Sequence, residues 1–176
     1  GKQPTIGSAG LNKYKPMVFT DTNETNIFDQ NVASSSFDLA TTDDFLVAMV
    51  INWPASEPNN FGTLLQAGQP NQNGHLTLKW IKTGDKLRLT TRTGGSDTSV
   101  SSGTSGLNSG GDFIVLLGKV DGAAYISVDG TALVTSGTVN AIDTGAYDIS
   151  IGAGYNGSTI NNETNMSLYE LVVIKD

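Results

Sequence analysis

The sequence predicts an all-β chain, an antiparallel two-sheet β-sandwich of the jelly-roll type. Three observations carry that expectation. Short apolar runs recur with starts about 8–12 residues apart, and turn residues separate them. The stretch from Phe113 to Ile174 is cut by Asp121-Gly122 and Asp129-Gly130, dipeptides that tight hairpin turns favour. No segment holds a sustained 3.6-residue apolar period with caps, so almost no helix is expected, at most a short turn.

The elements follow in order. Residues 1–36 read as an N-terminal segment or edge strand of the same domain, with a short strand over 17–20 and a polar stretch over 21–36. Residues 37–176 form the jelly-roll domain, opening with a short strand at Phe37 to Leu39. Phe45 to Trp53 is the first strong strand. Phe45, Val47, Met49, Ile51 and Trp53 share one face and Leu46, Ala48 and Val50 the other, so a strand covered on both sides is expected. Pro54 ends it, and after the 54–60 loop a strand runs over 61–67. A polar loop over 66–74 leads to a hairpin in which Leu76, Leu78 and Trp80 face Leu87, Leu89 and Thr91. Lys82-Thr-Gly-Asp85 makes its turn, and Thr77, Lys79, Arg88 and Arg92 lie on its outer face. The Gly- and Ser-rich stretch 94–111 holds one short strand near 98–101. Four more strand segments follow within Phe113 to Ile174, with a long polar loop before the last.

The bulk numbers narrow the function. A chain of 176 residues makes one domain large enough to bury a core without staples, and with no cysteine it has none. That absence also removes thiolate zinc sites and thiol nucleophiles. The net charge is −7, and ten Lys and Arg form no basic stripe along the sequence, which argues against nucleic-acid binding. No apolar run reaches the length of a bilayer span, so no membrane insertion is expected. The chain begins with Gly and reads as an excised part of a longer protein. Only 15% of residues are charged, and Asn, Thr, Ser and Gly abound, a composition that accompanies extracellular or virion-surface domains.

The order of blocks resembles the laminin-G-like and concanavalin A-like lectin/glucanase superfamily. Phe45 to Trp53 is similar to its opening aromatic strand and Gly62-Thr-Leu-Leu-Gln-Ala-Gly68 to the block that follows. Leu76 to Thr91 is similar to its hairpin, and Ala124-Tyr-Ile-Ser-Val-Asp-Gly130 to its Asp-Gly signature. Ile149-Ser-Ile-Gly152 and Leu168-Tyr-Glu-Leu-Val-Val-Ile174 resemble the closing blocks. The resemblance covers roughly residues 37 to 176. Where the family often carries Trp-His, this chain has Asp112-Phe113. The closing block also resembles lectin-like domains of phage fibres and bacterial surface proteins.

Glycosidases on such a fold place two carboxylates about 5 Å apart by i, i+2 alternation on one strand. Here the four Glu (Glu24, Glu57, Glu163 and Glu170) have no such partner, and Asp43 and Asp44 are adjacent and so point to opposite faces. The reading is therefore non-catalytic. The sole histidine, His75, would have to serve any Ser-His-Asp triad; at the start of a strand it is better suited to a ligand contact at a loop rim.

Sugar recognition combines an aromatic face with planar polar side chains. Two loops offer both. The first carries Glu57, Asn59, Asn60 and Phe61, with Trp53 and Phe61 more readily explained as core; the second carries Tyr155, Asn156, Asn161, Asn162 and Glu163. The expected ligand-binding residues are Glu57, Asn59, Asn60, His75, Tyr155, Asn156, Asn161 and Asn162. The resemblance also implies a calcium ion, for which Asp21, Asn23 and Glu24 offer oxygen ligands and Asn161, Asn162 and Glu163 a second set, although solvated turns explain both groups more simply. Asn23-Glu-Thr25, Asn156-Gly-Ser158 and Asn162-Glu-Thr164 match the N-glycosylation pattern, which arises easily in this composition.

The expected function is carbohydrate binding without cleavage. The partner is a cell-surface glycan or polysaccharide and the setting a host- or cell-surface attachment module, with a homotrimer formed through the parent protein. A structural or decorating virion domain without a glycan site, and a glycoside hydrolase with a carboxylate pair assembled from distant residues, remain open alternatives.

Overall fold

A computed structural model describes residues 5–6, 17–19, 39–40, 43–68, 72–140, 142, 149–155 and 160–176. Its strands are β1 (Thr5–Ile6), β2 (Met17–Phe19), β3 (Phe45–Trp53), β4 (Phe61–Ala67), β5 (Leu76–Ile81), β6 (Lys86–Thr93) and β7 (Ser96–Thr104). Then follow β8 (Gly111–Val120), β9 (Ala123–Val128), β10 (Thr131–Val134), β11 (Ile149–Ile151), β12 (Gly154–Tyr155), β13 (Ile160–Asn161) and β14 (Met166–Lys175). A single 3-10 turn at Leu107–Ser109 is the helical structure among the described residues, as the missing 3.6-residue period predicts.

Two antiparallel sheets make the sandwich. The larger runs β1-β2-β14-β3-β8-β9-β10 and the smaller β11-β4-β5-β6-β7, with β12 and β13 a separate ribbon. β1 and β2 extend the larger sheet beside β14. The two Asp-Gly turns form as read: Asp121 and Gly122 have φ of 51° and 74°, and Asp129 and Gly130 have 49° and 80°. Positive φ at both central residues matches the right-handed twist of a hairpin, and Asp and Gly tolerate it best. The Asp44 carboxylate accepts the Asp121 and Gly122 amides at 2.6 and 3.3 Å, and Asp129 accepts the Ile114 amide at 2.8 Å.

The core lies between the inner faces. Phe45, Val47, Met49, Ile51 and Trp53 of β3 join Val115, Leu117, Ile126 and Leu168 from the larger sheet. Leu65, Leu76, Leu78, Trp80, Leu87 and Leu89 meet them from the smaller. The Trp53 and Trp80 rings stand 5.3 Å apart at 58°, one from each sheet, so they bridge the sandwich. Burial of each such large side chain stabilises by roughly 1.5–3 kcal/mol. Gly62 is required at this end of the sandwich, because a Cβ there would meet the Trp53 ring at 2.9 Å.

Three expectations change. The second face of β3 is not covered: Leu46, Ala48 and Val50 are half-buried on the outside of the larger sheet, beside exposed Ile114, Val172 and Ile174. The strand in the Ser-rich stretch is longer than read, over Ser96–Thr104, because β6 supplies a partner along its whole length. Phe61 is not core but 44% exposed. A bulge between Thr63 and Leu65 switches the faces of β4, so Leu65 turns inward while Phe61 and Thr63 turn outward.

Candidate functional site

The two loops that the sequence singled out separately meet at one end of the sandwich. Glu57 holds them together. It is 1% exposed, and its carboxylate accepts the Asn165 amide at 3.0 Å, the Thr164 hydroxyl at 3.3 Å and the Asn59 amide at 3.4 Å. Asn59 donates its side-chain amide to the Glu163 carbonyl at 2.9 Å, and the Thr63 amide donates to the Asn162 carbonyl at 2.8 Å. Lys82, from the β5–β6 turn, donates to the Glu57 carbonyl at 2.8 Å. Glu57 therefore acts here as a buried tie, and Asn59 helps it. The exposed groups on this rim are Asn60 and the Phe61 ring, with Asn162 and Glu163 half-buried beside them.

His75 sits elsewhere, and not at an open rim. It is 2% exposed, its Nδ1 stands 3.1 Å from the Gln72 carbonyl, and burial pushes its pKa below the ordinary imidazole value despite that contact. The side chains of Tyr155 and Asn161 and the whole of Asn156 lie outside the described residues, as do Asp21, Asn23 and Glu24. Among the described residues no three His, Cys, Asp or Glu side chains gather to hold a metal ion. The second oxygen-rich set closes a loop instead, its Asn162 and Glu163 carbonyls accepting from Thr63 and Asn59.

The outer face of the smaller sheet is the larger surprise. Side chains on one face of paired strands alternate in step, so registered partners share a face. Phe61 pairs with Ile81 and Thr63 with Lys79; Lys79 pairs with Arg88 and Arg88 with Ser101. The next row is Gln66, Thr77, Thr90 and Ser99, and Arg92 with Asp97 ends the face. Lys79, Lys86, Arg88 and Arg92, four of the chain's ten Lys and Arg, thus gather on one face although the linear sequence shows no basic stripe. Sheet pairing, not sequence spacing, makes the cluster.

The pairing within it is uneven. Arg92 forms an ion pair with Asp97 at 2.8 Å. Arg88 donates its Nε to the Ser101 hydroxyl at 3.0 Å. Lys79 is half-buried, makes no hydrogen bond or ion pair among the described residues, and burial followed by the adjacent Arg88 charge pushes its pKa down. The Thr90 and Ser99 hydroxyls bond each other at 2.9 Å beside it.

One residue of the hairpin turn does more than the turn role the sequence assigns it. Asp85 is 7% exposed with φ of 48°. Its carboxylate accepts Trp80 Nε1, the Ser105 hydroxyl and the Gly106 amide at 2.8 Å each, and the Asn108 amide at 3.3 Å. It locks the hairpin turn to the segment after β7 and anchors Trp80. The only local signal is an Asp at a turn position that also follows a Trp.

No known sequence family and no curated protein matches the chain. Solved structures do. The CBM40 module of a Ruminococcus gnavus IT-sialidase superposes with a TM-score of 0.67 at 13% identity over 90% of each chain. Domains LG4-5 of the mouse laminin α1 chain give 0.66 at 16% identity, over 98% of this chain and 44% of that one. Sheep galectin-11 gives 0.52 at 10% identity, over 86% and 99%. This chain has the lectin-type jelly-roll fold. At such identities the likeness establishes the fold alone, and the jelly roll leaves each residue's role to the local chemistry. The CBM40 module is also solved bound to α2,3-sialyllactose, in a structure that superposes at 0.65 with 13% identity over 98% of this chain and 89% of that one.

Proposed function

We propose that this jelly roll is a non-catalytic carbohydrate-binding domain that serves as a surface attachment module, recognising a cell-surface glycan or polysaccharide in an extracellular or virion-surface setting. The observation that carries the reading is the exposed Phe61 ring, next to exposed Asn60 at the end of the sandwich where Glu57 and Asn59 tie in the 162–165 loop, on a fold shared with CBM40, laminin G and galectin domains. An aromatic face covers the C–H side of a sugar ring while amides meet its hydroxyls. Glu57 supports this arrangement from beneath by fixing both loops, so the contact surface needs little ordering on binding.

The absence of cleavage is part of the proposal. Three described carboxylates near the loops and turns are engaged within the fold: Glu57 by the 162–165 loop, Asp44 by the β8–β9 turn and by Lys119 at 3.8 Å, and Asp85 by the Trp80 anchor. A retaining pair would need two carboxyl groups facing one another about 5 Å apart.

A glycan array probed with the intact chain tests the reading. Binding to a defined set of glycans is expected, with Phe61→Ala weakening it about tenfold, near the 1.4 kcal/mol that a stacking ring contributes. A folded chain that binds nothing across a broad array would leave the structural or decorating alternative standing. Release of reducing ends from a bound polysaccharide would overturn the non-catalytic part.

A further inference from the structure

We propose that Lys79 and Arg88 form an anion subsite on the outer face of the smaller sheet, taking the carboxylate or sulfate group of an acidic glycan. The inference rests on the carbohydrate-binding reading and extends it from the Phe61 rim onto the adjoining sheet surface.

Four observations converge. First, Lys79 and Arg88 are direct cross-strand partners, a placement that repels and destabilises a sheet unless something neutralises it. Second, no side chain among the described residues supplies that neutralisation at contact. Asp97, the carboxylate that shares this face, is committed to Arg92 at 2.8 Å, and Lys79 makes no hydrogen bond or ion pair among the described residues. Third, the guanidinium of Arg88 is held by a single bond from Nε to Ser101, which fixes its plane and leaves its terminal nitrogens for the paired oxygens of a carboxylate or sulfate. Fourth, the surroundings suit a sugar. The Thr90 and Ser99 hydroxyls lie in the next row, and Phe61 and Ile81 lie on the same face in the opposite direction. The exposed approach to the cation pair is from the β7 side, where Ser99 and Ser101 are exposed, since Thr63 and Ile81 between Phe61 and Lys79 are buried. The chain as a whole carries −7, so the concentration of cations here is a local feature and not a consequence of its composition.

The half-buried position of Lys79 matters for strength. Partial removal from water weakens solvent screening, so an anion between Lys79 and Arg88 gains more than at a fully exposed pair. Affinity for the anion should still fall with salt: the β4–β5 side of the face is covered, with Thr63, Gln66, Thr77 and Ile81 buried, but Ser99 and Ser101 on the β7 side are exposed.

The test is calorimetric titration of the intact chain at about 25 mM and about 250 mM salt. The probes are 3′-sialyllactose, lactose as its neutral parent, a heparin hexasaccharide and a duplex DNA of matched charge. The proteins are wild type, Lys79→Gln/Arg88→Gln and Lys79→Arg. At least one acidic saccharide should bind about tenfold or more tightly than lactose, lose that margin in the double variant and at high salt, and keep it in Lys79→Arg. Preference for sialyllactose assigns a carboxylate; preference for the heparin fragment assigns a sulfate. The subsite is overturned if the double variant, with an unchanged Tm, binds the acidic saccharide as wild type does, or if DNA binds as tightly as heparin. Equal binding of lactose and sialyllactose overturns the subsite and leaves the carbohydrate-binding reading intact. If no saccharide here or on the array binds, that reading fails and the subsite with it.

Discussion

The β5–β6 hairpin carries two charged arrangements built on opposite plans. At its turn, Asp85 is a buried carboxylate with no ion pair among the described residues, satisfied by four neutral donors from Trp80, Ser105, Gly106 and Asn108. On its outer face, Lys79 and Arg88 are neighbouring cations with no carboxylate between them. The contrast separates two uses of charge. N–H and O–H dipoles fixed by the fold stabilise Asp85 without outside help, so that arrangement is closed. The cation pair has no carboxylate at contact among the described residues, and in the proposed subsite a bound glycan supplies its counter-charge. Stability is concentrated at the first and binding at the second.

Removal of Asp85 should have the largest effect. Asp85→Ala orphans the Trp80 indole N–H, the Ser105 hydroxyl and two amides at once. Each buried orphan costs about 1–3 kcal/mol and the effects do not add, so a total near 3–4 kcal/mol is expected by urea unfolding. Asp85→Asn, which keeps an acceptor oxygen and loses the charge, should fall between that and wild type. A loss below about 1 kcal/mol for Asp85→Ala would break the distinction between a closed and an open arrangement.

Glu57 belongs with Asp85 in plan, and its effect should be smaller. Its bonds to the Thr164 hydroxyl and the Asn59 amide are long, at 3.3 and 3.4 Å. Glu57→Gln should cost about 1–2 kcal/mol and speed hydrogen exchange at the Asn165 amide while leaving the Gly106 amide protected. Equal loosening at both ends would mean that the loop tie and the turn lock are one cooperative unit.

These two carboxylates also mark where the sequence stops being legible. The Asp-Gly turns of β8–β9 and β9–β10 could be read because their chemistry is local: φ, turn type and residue preference involve adjacent positions. The alternation of β5 and β6 could be read for the same reason, down to the outward Lys79, Arg88 and Arg92. Asp85 reaches residues 20 to 23 positions away, and Glu57 reaches Thr164 and Asn165 across 107 and 108 positions. No local pattern encodes such contacts. Glu57 was singled out as a ligand group because an acid in an Asn-rich loop looks solvated, and burial alone reassigns it. Phe61 was misplaced for a different reason: one bulge inverts the faces of a strand, and alternation cannot see a bulge. Alternation places Lys79, Arg88 and Arg92 on one face, but only the pairing register shows that Lys79 and Arg88 are direct neighbours.

His75 tests the smaller sheet's outer face from its far end. Burial lowers its pKa, with Asp97 acting against that change and Arg92 and Lys79 adding to it. The unfolded chain therefore takes up a proton first as pH falls through about 6.5, while the folded chain resists it. The stability that His75 contributes is complete above that pH and is lost progressively below it. His75→Gln should flatten the pH dependence of the urea midpoint between about pH 6.5 and 4.5, where the carboxylates begin to titrate. An unchanged slope would mean that His75 is exposed enough in solution to titrate freely.

The smallest effect should be the most telling. Lys79→Gln removes a like-charge contact with Arg88 and breaks no hydrogen bond or ion pair among the described residues. A gain of a few tenths of a kcal/mol is expected at low salt, shrinking toward zero as added salt screens the Arg88 charge. Lys79→Arg, which keeps the repulsion, should show no gain. A loss of stability in Lys79→Gln that salt does not alter would mean that the Lys79 stem is packed as part of the scaffold. The hairpin would then hold two closed arrangements, and its outer face would have no standing demand for an anion. A gain confined to low salt, together with weaker binding of an acidic saccharide, would show one side chain that costs the folded domain stability and returns it as affinity.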